Sequence, residues 1–273
     1  MQYLSDELTG CLDIARLFES VSKLDGETYR QVENRKTIRF KWNGKGYFAK
    51  THGGVGWLEI FKNLSQLRLP VLGAANEWKA IEKLTELGID TMHPVAYVNE
   101  GWNPARIHSG IVTRELAQTM SLEDYCASGE MTLALKRYLI PKIASVSRVL
   151  HENGVNHRDY YICHFLMDLK ALDGGEPSIY LIDLHRAQIR AQTPTRWKVK
   201  DVGGLFFSAF DVGLTERDLY RFMKIYSGRS LRETLEYDRS FWRAVLGRAI
   251  QLYKQDGSQL PAWIMNIQNR LAN

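Results

Sequence analysis

Residues 156–186 read NHRDYYICHFLMDLKALDGGEPSIYLIDLHR. His164 to Leu169 and Ile179 to Leu184 are short runs of apolar and aromatic residues. Between them, Lys170 to Ser178 carries turn chemistry in Asp173-Gly174-Gly175 and Pro177. The pattern predicts a hairpin. Centred on Gly174, it pairs residues whose numbers sum to about 348, which sets His164 beside Asp183 and Leu184. Asp159 lies just upstream on the incoming loop. Two carboxylates and an imidazole therefore converge on one edge.

Phosphoryl transfer needs such a set: one carboxylate to take the proton of an attacking hydroxyl, another to hold the magnesium that bridges nucleotide phosphates. His157-Arg158-Asp159, a ligand at His164 and a hydrophobic strand ending in Asp183 are similar to the protein-kinase pattern. The context fits: Leu133 to Asn153 reads as a helix, with Gly154 as its C′ residue. Two departures stand out. His164 occupies the place of the usual Asn, and Asp183-Leu184-His185 replaces Asp-Phe-Gly. The plainer alternative makes Asp159 and Asp183 ordinary turn or capping acids.

Three motifs narrow the resemblance: HRDYYICHF (157–165), IDLHRA (182–187) and KDVGGLFFS (200–208). Together they closely resemble the WaaP family of lipopolysaccharide core heptose kinases, over most of the chain from about Lys36 to Ser227. The resemblance implies a bacterial ATP- and magnesium-dependent sugar kinase that phosphorylates the first heptose of the lipopolysaccharide inner core. It also implies work at the cytoplasmic face of the inner membrane.

With 273 residues, 45% hydrophobic and 25% charged, the chain suits one large domain or two lobes with ample core. Cys11, Cys126 and Cys163 are odd in number and scattered, which predicts a reducing compartment, no disulfide framework and no zinc site. A net charge of +5 is compatible with an anionic partner, either an anionic membrane surface or an acidic protein. No nucleic-acid-binding motif accompanies that charge, so nucleic acid is not expected. The start lacks a signal peptide, and no run of apolar residues is long enough to span a bilayer.

Residues 1 to 25 read as an amphipathic helix, with Leu8, Leu12, Ala15 and Leu17-Phe18 near one side. Strands are expected over Thr37 to Trp42 and Tyr47 to Lys50 around an Asn43-Gly44-Lys45-Gly46 turn. The phosphate loop of a kinase would fall near Val32 to Lys36. No glycine stands there, but Arg35 and Lys36 supply charge. Lys50 ends its strand where a kinase places the lysine on the α- and β-phosphates. His52 to Gly56 reads as a glycine-rich connecting loop. In the helix Ala75 to Leu87, Glu77 falls on the apolar face and calls for a partner, for which Lys50 is the natural choice. Their plain alternatives are a surface lysine at a strand end and a first-turn helix acid.

Pro94 to Val98 and Ile107 to Leu116 predict two more strands. Backbone groups near Glu115 to Ala117, at a hinge-like junction, would hold adenine. His157 reads as structural, and Arg158 either neutralises the loop carboxylates or meets a phosphate. His164 would bind metal or contact phosphate; magnesium's preference for oxygen leaves both open. His185 and Arg186 would face the transferred phosphate or an anionic sugar lipid, or else form a basic surface turn. Cys163 reads as a buried thiol. Asp201 opens a helix and reads as a buried acid bonded to catalytic-loop backbone, or as its N-cap. Further helices are expected over Thr215 to Tyr226, Phe241 to Tyr253 and Leu260 to Leu271. Arginines in this end form an anionic docking face or a solvated surface.

The expected fold is α+β, bilobal and protein-kinase-like. Residues 1–117 form a strand-rich nucleotide-binding lobe and residues 118–273 a helical lobe with the catalytic loop, the site lying in the cleft. Asp159 is the expected catalytic base, Asp183 the magnesium ligand, and Lys50, held by Glu77, the phosphate ligand. Two rival functions stay open: a protein kinase acting on Tyr or Ser, and a pseudokinase that binds nucleotide or lipid without turnover.

Overall fold

Residues 1–25 do not form one helix. Gln2–Leu4 makes strand β1, and 3-10 turns at Asp6–Leu8 and Ile14–Arg16 precede a short helix α1 (Leu17–Ser22). The Asp13 carboxylate accepts from the Ala15 amide, so this side chain caps a local turn rather than extending a helix. Leu8, Leu12, Leu17 and Val21 nevertheless pack inward, at most 4% exposed, while Ala15 faces solvent. The structure is a computed structural model that describes residues 1–32, 34–65, 73–174, 176–257 and 259–272.

Strands β2 (Glu27–Val32), β3 (Arg35–Trp42) and β4 (Lys45–His52) follow as successive hairpins. Asn43 and Gly44 join β3 to β4 with φ of 48° and 76°, the left-handed pair that a two-residue turn of matching twist requires. Residues 53–55 are loop, and Gly56 opens an unanticipated helix, α2 (Gly56–Ser65). Helix α3 (Ala75–Glu86) ends before Gly88, whose φ is 69°. Strands β5 (Pro94–Glu100) and β6 (His108–Arg114) complete an antiparallel sheet of order β1-β5-β6-β4-β3-β2. Glu33, within the expected phosphate-loop segment, lies outside the described residues.

Alternation gives the sheet two different faces. Ile38, Phe40, Tyr47, Ala49 and Val112 turn towards Leu8, Leu12, Leu17 and Val21 in a single buried cluster. Each buried Val, Leu, Ile or Phe side chain among them contributes about 1.5–3 kcal/mol by leaving water. Lys50 and His52 are one residue out of phase with Tyr47 and Ala49, so they stand on the opposite face.

The rest of the chain is mainly helical: β7 (Thr119–Ser121), α4 (Leu122–Ala127), α5 (Leu133–Glu152), β8 (Val155–Asn156), β9 (Phe165–Asp168), β10 (Ile179–Leu181), β11 (Gln188–Ile189), α6 (Thr195–Ser208), α7 (Glu216–Ser227), α8 (Leu231–Tyr237), α9 (Arg239–Gln255) and α10 (Ala262–Ala272). The expected hairpin forms, with Leu181 opposite Phe165. Its register therefore brings Ile182 opposite His164, one residue short of Asp183, and the Ile182 amide donates to the His164 carbonyl at 3.0 Å. Gly175, in the expected turn, lies outside the described residues. Asp201 does not open its helix, because α6 begins at Thr195.

The chain divides into two compact units. A sheet unit comprises Met1–Thr85, Thr91–Ala117 and Leu184–Arg186; a helical unit comprises Glu86–Asp90, Gln118–Asp183 and Ala187–Asn273. Among the described residues, no helix is long and apolar enough to cross a membrane.

Candidate active site

In the sheet unit, Lys50 Nζ donates to Glu77 Oε1 at 2.6 Å. The Glu77 side chain is 0% exposed and that of Lys50 17%. A buried carboxylate in the first turn of α3 would be costly alone; the ammonium offsets that cost and is itself fixed in direction. Cross-strand pairing sets Arg35 opposite His52 and Thr37 opposite Lys50, whereas Lys36 is opposite Thr51. Arg35 thus shares the face of Lys50, and Lys36 stands on the other face, away from it. His52 is buried, and its pKa is lowered to about 3 by burial first, then by the charges of Arg35, Lys50 and His185. It is neutral at any working pH. Arg35 and Lys50 thereby place two fixed positive charges beside one neutral ring.

Of the backbone groups expected to hold adenine over 115–117, the Glu115 amide is already engaged within the sheet. That N–H donates to the Gly46 carbonyl at 2.9 Å. The Glu115 carboxylate pairs with Arg39 at 2.8 Å, and it passes so close to Gly46 that a Cβ there would collide with it. Ala117 is exposed in the turn after β6. His185 and Arg186 are half-buried in the 3-10 turn Leu184–Arg186.

In the helical unit, the loop 157–161 is pinned from beneath by Asp201. This acid, 1% exposed, accepts from the His157 amide at 2.6 Å through Oδ2 and from the Arg158 amide at 2.9 Å through Oδ1. The His151 ring stands 3.4 Å from the same Oδ2 and is held by the Tyr226 hydroxyl at 2.7 Å. Arg158 has φ of 76°, an unusual conformation for a residue with a side chain, which the two amide bonds stabilise. His157 is buried and donates from Nε2 to the Ile182 carbonyl at 2.9 Å. Burial, the largest influence on its pKa, pushes it down. A neutral, structural ring results.

His164 connects the two acids. Its Nδ1 donates to the Asp159 carbonyl at 2.7 Å, and its Nε2 lies 3.6 Å from Asp183 Oδ2. Burial lowers its pKa, but a hydrogen bond with Cys163, the Asp159 carbonyl, and the charges of Cys163 and Asp183 outweigh this and raise it to about 9. An oxygen beside each ring nitrogen favours N–H on both, so the ring is an imidazolium. Cys163 is half-buried beside it rather than sealed in the core. Asp183, with φ of 62°, shares the left-handed conformation of Arg158.

The donor set suits magnesium in one respect. Among the described residues, no group of three His, Cys, Asp or Glu side chains could cage a metal, and magnesium is typically held by one or two carboxylates with phosphates and water. Asp183 fits that pattern. His164 suits it less well, since magnesium prefers oxygen donors to an imidazole nitrogen.

Sequence reasoning found Asp201 but missed His151 behind it. It also missed Trp197, whose ring has Arg158, Arg190, Arg196 and Lys200 within 5.8 Å of its centroid. The density of cations about Trp197 in TRWKVK (195–200) was the available signal.

Residues 19–226 match the Lipopolysaccharide kinase (Kdo/WaaP) family. The lipopolysaccharide core heptose(I) kinase WaaP of Escherichia coli (strain K12) is 48% identical over 227 residues, covering 82% of this chain and 86% of the relative. The Pseudomonas aeruginosa protein of the same name is 46% identical over 242 residues, covering 87% and 90%. A solved structure described as WaaP in complex with acyl carrier protein shares 40% identity with a TM-score of 0.79, covering 93% of this chain and 99% of that one. The family match spans well over half the chain, and the relatives align over nearly their whole lengths: the chain belongs to the lipopolysaccharide kinase (Kdo/WaaP) family.

Proposed function

We propose that this chain transfers the γ-phosphoryl group of ATP to a hydroxyl of the first heptose of the lipopolysaccharide inner core. The observation that carries this reading is the His164 ring, bonded to the Asp159 backbone at 2.7 Å and facing the Asp183 carboxylate at 3.6 Å. It couples a loop acid to a strand-end acid in a chain whose relatives are heptose(I) kinases.

In this mechanism the Asp159 carboxylate orients the heptose hydroxyl and accepts its proton as the oxygen bonds to the γ-phosphorus. The bond from that phosphorus to the β–γ bridging oxygen breaks, and ADP departs. Lys50, held by Glu77, binds the α- and β-phosphates, and Arg35 on the same face adds charge. Asp183 is the residue to hold magnesium, which when bound neutralises the phosphate oxygens. His164 faces Asp183 at 3.6 Å and orients that carboxylate by its charge rather than ligating the metal. His185 and Arg186 would meet the transferred phosphate. Positioning and fixed charge supply most of the rate.

The acceptor is a glycolipid, so the enzyme would work at the cytoplasmic face of the inner membrane. Helix α2 supports this: Trp57, Leu58 and Phe61 are 51%, 89% and 62% exposed on one arc of the helix, with Lys62 at its flank. The acidic partner would be a carrier of the acyl carrier protein class. The solved complex of a relative, the net charge of +5 and an apolar cavity lined by Leu122, Cys126, Leu139, Ile143, Leu205 and Phe222 support that choice. The test is magnesium-dependent transfer of labelled γ-phosphate to core glycolipid lacking the heptose phosphate. Label on protein alone would overturn the reading.

A further inference from the structure

Three separate segments of the helical unit deliver cations to one indole. Trp197 and its neighbours Arg196 and Lys200 lie in the first turns of α6. The Lys200 ammonium is 4.5 Å from the ring centroid and the Arg196 guanidinium 5.4 Å. Arg158 comes from the catalytic loop, 5.5 Å from the same centroid, and Arg190 follows β11, at 5.8 Å. Arg190 is fixed by hydrogen bonds to the side chains of Asn156 and Gln188. Its amide also donates to the Gly154 carbonyl at 3.0 Å. Gly154 is what permits this approach, because a Cβ there would collide with the Arg190 carbonyl.

Such a gathering is unfavourable by itself. Like charges repel, and the ring face offsets only about 0.5–2 kcal/mol for each cation. Among the described residues, neither Arg196 nor Lys200 has a carboxylate partner, and both side chains are exposed. Arg190 feels the crowding: burial first, and then the charge of Arg196, press its pKa below the ordinary value. The cluster is also placed with respect to chemistry. Lys200 precedes Asp201, and Asp201 holds the Arg158 amide at 2.9 Å, so the helix carrying Trp197 is bonded to the loop carrying Asp159.

We propose that Arg158, Arg190, Arg196 and Lys200, stacked about Trp197, form the subsite for an anionic group of the acceptor, a carboxylate or phosphate borne by the sugars next to the heptose. The proposal rests on the glycolipid-kinase reading above. The indole presents the cations as a preorganised platform, and guanidinium groups suit both planar carboxylate and phosphate. Recognition there places the target hydroxyl at Asp159 and discriminates against neutral sugars that carry the same hydroxyl.

The test is steady-state phosphoryl transfer by the full chain, comparing wild type with Arg196→Gln/Lys200→Gln and a control of equal charge loss, Lys224→Gln/Lys254→Gln, on exposed helical positions elsewhere. Three acceptors are used: intact core glycolipid, the same with its sugar carboxylates reduced, and the same with its remaining phosphates removed. The platform double variant is expected to raise KM for intact acceptor roughly ten- to a hundredfold. KM for ATP and kcat at saturating acceptor stay put, and the control behaves as wild type. With whichever acceptor lacks the recognised group, wild type and variant converge, which identifies carboxylate or phosphate. An unchanged KM, or the same loss with all three acceptors, overturns the subsite. Failure of the wild type to phosphorylate any glycolipid would instead overturn the functional reading beneath it.

Discussion

Lys50 Nζ and Glu77 Oε1 are 2.6 Å apart, and the carboxylate side is fully buried while the lysine keeps 17% exposure. The two halves of the pair therefore differ in what their loss leaves behind. Lys50→Met strands a buried carboxylate and is expected to cost about 3–5 kcal/mol of stability. Glu77→Gln leaves a cation that still reaches water, so it costs less but loosens the phosphate ligand, lowering kcat/KM for ATP by roughly ten- to a hundredfold. Urea titration of both variants and of the double variant checks this. The double variant recovers most of the stability lost in Lys50→Met; strict additivity would contradict the pairing.

Asp201 satisfies two amides at once, one buried and one part-buried. Asp201→Ala orphans the His157 and Arg158 N–H groups, and at about 1–3 kcal/mol for each lost partner the fold loses roughly 2–6 kcal/mol. Asp201→Asn retains one acceptor oxygen and is expected to keep most of the stability while losing activity. Denaturation midpoints alongside kcat separate the two effects.

The pH dependence follows from His164. Its folded pKa, about 9, lies above the ordinary 6.5. The imidazolium contribution is therefore complete below 6.5 and lost as pH rises through about 9. Activity should fall on the alkaline side with a midpoint near 9, and His164→Asn should abolish that limb while reducing activity at neutral pH. A profile in which the variant keeps the same limb would assign the titration elsewhere.

Helix α2 gives a separable prediction. Replacing Trp57, Leu58 and Phe61 by Ser removes about 0.8 kcal/mol of membrane affinity for each buried methylene equivalent. All three are exposed, so folding is spared. Flotation with vesicles of anionic phospholipid should lose the variant and retain the parent; equal flotation would send the membrane contact to another surface.

Much of this was legible in local chemistry. Asn43-Gly44 specified its turn, Thr215 and Gly228 bounded α7, and the position of Glu77 on the apolar side of α3 called for a cation. What was illegible depends on distant partners. Gln2–Leu4 becomes a strand because β5 offers it an edge, with Tyr3 opposite Tyr97, and no helical periodicity reports that. The hairpin pairs residues whose numbers sum to 346 rather than about 348, so its centre falls one residue before Gly174 and His164 meets Ile182. Lys36 and Arg35 are neighbours in sequence, yet pleating sends them to opposite faces. The platform about Trp197 draws on segments 38 residues apart in the chain, from Arg158 to Arg196, which only the folded unit brings together.

The most direct measurement is magnesium-dependent transfer of labelled γ-phosphate from ATP to core glycolipid lacking the heptose phosphate, by wild type, Asp159→Asn and Asp183→Asn. The account predicts label on the heptose with wild type and a loss of at least a hundredfold in each variant, both remaining folded. Label on the glycolipid at undiminished rate with Asp159→Asn would contradict it.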